Sequence, residues 1–198
     1  MFLKILFAGL LFISVLGAQT SSPAPYPIDA NHSTIGFNVP ILNGLSKVSG
    51  KFTDFTVTLN HDQSDVTRSS VNVVIKAASI NTGIAARDNH LKTADFFDVE
   101  KYPEITFKST RIDKKGKQLI LVGTLTMHGV SKEIAMPFVV KGPDRDEAKK
   151  KMVVGYSASL PINRRDFGVN WEHPSAPGFV GDNIEIEINL ITKEVEMK

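Results

Sequence analysis

The chain of 198 residues contains no cysteine. No disulfide can hold it, and no thiolate can serve as nucleophile or metal ligand. Net charge is also scarce. There are 23 Lys and Arg against 21 Asp and Glu, a formal charge of +2 with His neutral. That balance argues against a nucleic-acid or polyanion partner. Catalytic signatures are missing as well: no GxSxG elbow, no Gly-rich phosphate loop, no HExxH or HxH. The five His (His32, His61, His90, His128, His173) are widely spaced. Ser, His and Asp all occur, but no spacing singles out a triad, which is recognised by geometry. No catalytic residue, metal site or cofactor is therefore expected.

The N-terminal apolar run, Ile5–Ala18, has 14 residues, short of the roughly 20 that span a bilayer. It follows Lys4 and ends on Gly17-Ala18, so residues 1–18 are predicted to be a secretory signal peptide. Leu16 fits the −3 position of a cleavage site poorly, and an uncleaved anchor is the alternative. Without residues 1–18 the chain has 180 residues and a net charge of +1. Residues 19–25 read as a polar, Pro-containing linker and 26–194 as one domain. Its length suffices to bury roughly 70% of the unfolded surface without staples.

From Tyr26 onward the pattern is β. Ile35, Phe37 and Val39 alternate in Ser33–Leu42, and Phe55, Val57 and Leu59 in Val48–Asn60. Ser69–Ala77 and Glu104–Ile112 are strands. In Gln118–Met127 the inward set is Leu119, Leu121, Gly123, Leu125 and Met127. A turn at His128–Ser131 leads to Ile134, Met136, Phe138 and Val140. Met152–Arg164 follows, after a charged loop at Pro143–Lys151. Asp182–Ile191 sets Ile184, Ile186, Ile188 and Leu190 against Glu185, Glu187 and Asn189. Alternation of this kind means antiparallel strands with one wet and one dry face. Eight such runs favour an antiparallel barrel, since closure removes exposed edges; a β-sandwich is the alternative. Gly50, Gly123, Gly155, Ser157, Ala158 and Ser159 fall near inward positions. They either leave interior volume or mark bends and bulges.

One stretch breaks the strand pattern, Ala77–Thr110. A short helical segment is predicted around residues 83–94, capped by Asn81 or Thr82. Ile84, Arg87, His90 and Leu91 share one face, an arrangement suited to closing one end of a cavity. Phe96 and Phe97 supply an apolar anchor. A second polar cluster, Asn163–Asp166, ends the strand Met152–Arg164 and precedes Phe167. Both clusters fall where strands give way to connections. One reading has Arg87, His90 and Arg164, with Asp88 and Asp166, hold the polar head of a lipid whose tail enters the barrel, because a guanidinium fork suits phosphate or carboxylate. The other has these Arg and Asp residues pair with one another to pin helix to strand. His32 is expected to tether the first strand.

The segments NHSTIGFNV (31–39), KVSGKFTDF (47–55), AASINTG (77–83), RDNHLKTADFFDVEKYPEITFKST (87–110), GTLTMHGVSKE (123–133) and INRRDFGV (162–169) resemble the YceI-like proteins. The likeness runs from about Tyr26 to Ile191. It implies an all-β, extended lipocalin-like antiparallel barrel in a periplasmic or secreted bacterial protein, with some members linked to stress. It further implies a long amphipathic lipid inside the barrel, typically a polyisoprenoid (quinone-like or prenyl pyrophosphate), held for transport or storage. No catalytic residues are carried over. This chain departs at Pro40, near which the family often has His. On this reading Phe37, Phe52, Phe107, Leu125, Met136, Phe138 and Ile186 face the tail, with Phe96, Phe97 and Phe167 beside it. An enzyme acting on such a lipid and a filled, ligand-free interaction barrel are the competing classes. Association of two copies through a sheet face stays open.

Overall fold

Period-2 alternation decides which face of each strand meets water, and the computed structural model, which describes residues 25–197, follows it closely. The signal-peptide expectation for residues 1–18, and the linker apart from Pro25, lie outside the described residues. The strands are β1 (Thr34–Ile41), β2 (Ser46–Phe52), β3 (Phe55–Asn60), β4 (Ser70–Lys76), β5 (Ile80–Asn81), β6 (Glu104–Lys115), β7 (Gln118–Met127), β8 (Val130–Asp146), β9 (Lys151–Asn163), β10 (Asn183–Ile191) and β11 (Val195–Glu196). One α-helix, α1 (Ala85–Leu91), follows β5. Strand order is β3-β4-β6-β7-β8-β9-β10-β1-β2-β5, with β11 on β9. Every pairing is antiparallel.

The run Val48–Asn60, expected as one strand, breaks at Thr53-Asp54. An unbroken strand would set Phe52 and Phe55 on opposite faces. The break turns both inward: Phe52 is buried and Phe55 packs on the same cluster. Thr53 N donates to Ser79 O at 3.1 Å, and Asp54 O accepts from Lys76 N at 3.0 Å. The two ends of the sheet thus meet across two bent strands, β2–β3 and β4–β5, since β3 pairs with β4 and β2 with β5. With β2–β3 and β4–β5 each counted once and the two-residue β11 left out, the wall has the expected eight strands, an all-β antiparallel sheet curled into a lipocalin-like barrel.

Chain direction assigns the two ends. At one end lie α1, the β7–β8 turn, the end of β9 and residues 164–182. At the other lie residues 61–69 and the N-terminal segment, which bridges Tyr26 to Leu59 and Ile28 to Thr192. There Tyr26, Leu59, Met152 and Val154 form a separate buried cluster. The turn expected at His128–Ser131 is tighter, with only His128 and Gly129 between β7 and β8, at φ of 52° and 75°, the twist that antiparallel hairpins favour. The charged loop is shorter than expected, because β8 runs on to Asp146 before the chain turns.

The inner glycines do not simply enlarge the interior. A Cβ on Gly50 would lie 2.4 Å from the Phe37 ring, and one on Gly123 would lie 2.6 Å from the Phe107 ring. Each glycine is a seat on which a ring lies against the wall. Gly123 also pairs with Ser109 beside the bulge of β6, and Gly155 with Lys141 beside the irregularity of β8. The bend-and-bulge expectation holds for these two.

Candidate functional site

The inward face of the barrel encloses a cavity of ≈ 400 Å³, within the size range of small-molecule sites. Its lining is almost wholly apolar. Ile184, Ile186, Ile188 and Leu190 face it from β10, and Leu121, Leu125, Met136 and Phe138 from β7 and β8. Phe37, Phe52 and Phe107 line it too, as do Phe96 and Phe97 beyond α1. A filled interior is therefore not what this fold builds.

The end beside α1 carries the polar groups. The helix begins after Ile84, which is its N-cap but offers no side-chain hydrogen bond. Neither expected cap acts as one. Asn81 Oδ1 accepts from Gly83 N at 2.9 Å. Thr82 instead links the two charged residues of the helix. Its N and Oγ1 donate to Asp88 Oδ1 at 2.9 and 2.5 Å. Its Oγ1 and O accept from Arg87 Nε and Nη2 at 2.7 and 2.9 Å. Arg87 makes no ion pair among the described residues and lines the cavity. Asp88 reaches it only through the shared Thr82 hydroxyl, so no carboxylate among the described residues bonds the guanidinium directly. Ile84 departs from the expected helical face. It sits before the first turn in an extended conformation and is 53% exposed.

His90 lines the cavity from the next turn. Its Nε2 meets Asp95 Oδ2 at 2.8 Å. Its ring stands edge-on to Phe96 and Trp171, with centroids 5.1 and 5.3 Å away. Trp171 and Phe179 complete this aromatic rim. Neither was expected, because residues 170–182 show no periodicity that would assign a face.

Arg164 also borders the cavity but is committed elsewhere. It is 1% exposed. Nε donates to Gly181 O at 3.1 Å, Nη1 to Val169 O at 2.8 Å, and Nη2 to Val180 O at 3.4 Å and to Asp182 Oδ1 at 2.9 Å. Burial pushes its guanidinium pKa down, against the pull of Asp182. Arg165 reinforces the clasp through Asp182 and Glu172. Arg164 thus holds the 169–182 segment over the barrel end.

Three expected site residues stand apart from the cavity. Asp88 is spent on Thr82. Asp166 faces outward, 57% exposed, 3.4 Å from Lys132 Nζ, because the turn after β9 carries it to the outer side. Phe167 is buried in the core, 2% exposed, and does not line the cavity. The alternative expectation, that Arg87, Asp88, Arg164 and Asp166 pair directly with one another, fails equally: Arg87 and Asp88 share Thr82, Arg164 holds Asp182, and Asp166 faces Lys132. His32 is tethered as expected, to Asp29 Oδ2 at 2.7 Å. At the far end two unexpected polar residues, His61 and Tyr156, line the cavity. No helix among the described residues is long and apolar enough to cross a membrane.

Comparison with known proteins gives this geometry a family. The UPF0312 protein plu2095 of Photorhabdus laumondii is 37% identical over 155 residues, 77% of this chain and 80% of that protein. The YCEI protein of Campylobacter jejuni superposes with a TM-score of 0.66 at 32% identity, over 78% of this chain and 87% of that one. A polyisoprenoid binding domain from Saccharophagus degradans shares the fold at 18% identity, with a TM-score of 0.63 over 86% of this chain and 98% of that one. The YceI-like domain profile matches residues 26–192, and the chain belongs to the YceI-like family.

Proposed function

We propose that this protein is an exported carrier that holds one long amphipathic lipid, a polyisoprenoid, with its tail in the barrel and its head at the α1 mouth. The observation that carries the reading is the apolar cavity of ≈ 400 Å³ with Arg87, which no carboxylate bonds directly, at its rim. Burying a prenyl tail releases roughly 25 cal/mol per Å² of apolar surface, less the cost of ordering it. The tail therefore supplies affinity, while the few polar groups at the rim set orientation. Arg87 presents a fork suited to a phosphate or carboxylate. His90, Phe96 and Trp171 form a wall against which the first isoprene units pack. The description of the Saccharophagus neighbour as polyisoprenoid-binding supports this lipid class. Transport or storage needs no turnover.

The test is mass spectrometry of an organic extract of the protein purified from a bacterial periplasm without detergent. A stoichiometric isoprenoid or quinone is expected. An empty extract, with no uptake of added prenyl lipids, would overturn the proposal.

A further inference from the structure

At the end of the cavity away from α1, two polar atoms stand without partners. His61 Nδ1 and Tyr156 Oη are buried, and neither has a hydrogen-bond partner among the described residues. Their rings meet edge-on, with centroids 5.9 Å apart, and both border the cavity. Tyr26, on the other side of His61 at 5.2 Å, differs in this respect: its hydroxyl accepts from Gln63 Nε2 at 2.7 Å. Buried polar atoms are almost always satisfied, so two orphans in one cavity wall need an explanation. Tyr156 stands eight residues before Arg164 on β9, about 26 Å along the strand. The orphans are thus far from the Arg87 mouth.

The chemistry of the pair is that of a neutral site. Burial pushes the imidazole of His61 below its ordinary range and the phenol of Tyr156 above its own. Neither group brings charge to the cavity at neutral pH. The Asp62 carboxylate, which acts on both His61 and Tyr26, is itself paired with Arg68 at 2.9 Å. Among the described residues no Lys or Arg lines the cavity at this end, so an anionic group inside it would find no cation. A neutral oxygen can accept from the phenol and engage the imidazole without any charge to compensate.

We propose that His61 and Tyr156 form a second, inner polar subsite, which takes a neutral oxygen function, a hydroxyl or carbonyl, carried at the deeply buried end of the ligand. This rests on the cavity being a lipid site, and adds that the occupant is oxygenated at the end that enters first.

Dodecanol and dodecane differ in just such an oxygen, and Trp171, the sole tryptophan, reports occupancy by its fluorescence. The parent protein is expected to prefer the alcohol. Tyr156→Phe, which only removes the orphan hydroxyl, is expected to keep the fold and to narrow that preference roughly tenfold, the value of one lost hydrogen bond. His61→Phe should act in the same direction. An unchanged preference in both variants, with both probes still bound, overturns the inner subsite alone. Failure of the parent protein to bind either probe overturns the lipid site together with it.

Discussion

Replacing Arg164 with methionine is expected to destabilise the domain by about 3–5 kcal/mol, the range for removing one partner from a buried ion pair. Three backbone carbonyls, of Val169, Val180 and Gly181, lose their donor together with Asp182. A buried acceptor left without a partner costs roughly 1–3 kcal/mol, so three carbonyls alone reach the lower bound. Asp182 adds less. Its side chain is 40% exposed and keeps Arg165 Nε at 2.7 Å. In a domain of this size the loss lowers Tm by roughly 6–20 °C. Urea unfolding followed by Trp171 fluorescence, with thermal melts by circular dichroism, measures it. Arg164→Lys keeps the charge but lacks the fork, and should fall between parent and Met. A loss below about 1 kcal/mol, accompanied by weaker binding of an anionic lipid, would refute the reasoning and make Arg164 a head-group ligand.

Arg87→Ala is expected to leave urea stability within about 1 kcal/mol, since its described partner is a threonine. The same variant should weaken a prenyl phosphate more than the parent alcohol, as read by competition binding; equal loss for both would count against a head-group role. Gly123→Ala places a Cβ 2.4 Å from Lys108 O, a backbone atom that cannot swing away. A loss of about 1–3 kcal/mol in urea unfolding follows. His61 sets a pH dependence. Burial lowers its folded pKa below the ordinary 6.5, so the unfolded chain binds the proton first. Stability falls as pH drops through 6.5 toward the folded value, and His61→Phe should flatten melts across that window. Asp62 acts in a different window. Its bond with Arg68 holds its carboxyl below the usual range, so its contribution is present above about pH 4 and fades as pH falls further. Arg68→Gln should lessen that acid-range fading, while Ser64 and the Asp65 N–H still hold the carboxylate.

Much of the wall was legible because alternation carries both strand and face. Ile184 to Leu190 on β10 point inward where period 2 puts them. The bend at Thr53-Asp54 was hidden: both halves alternate, and only the odd spacing of Phe52 and Phe55 hints that one of them would otherwise face water. At the mouth, Arg87 and His90 were found because they share a helical face. Ile84 was misplaced because that face was extended one residue ahead of the helix. Arg164 resembles the exposed charged residues around it. Its burial follows from carbonyls of an irregular segment that no pattern announces. His61, just past β3, and Tyr156 on β9 come together from segments far apart in the chain, so neither neighbourhood betrays the other.

The pairing of β1 with β10 sets an order of events for folding. Thr34 lies against Asn189 and Asn38 against Glu185, so the first long strand completes its hydrogen bonds only against the last. Loop closure over such a separation is slow and comes late. The hairpins from β6 to β10 are local and can form early, but the ring stays open until the C-terminal tenth of the chain is available. A nascent chain of this topology cannot close its cavity until nearly all of it has been synthesised.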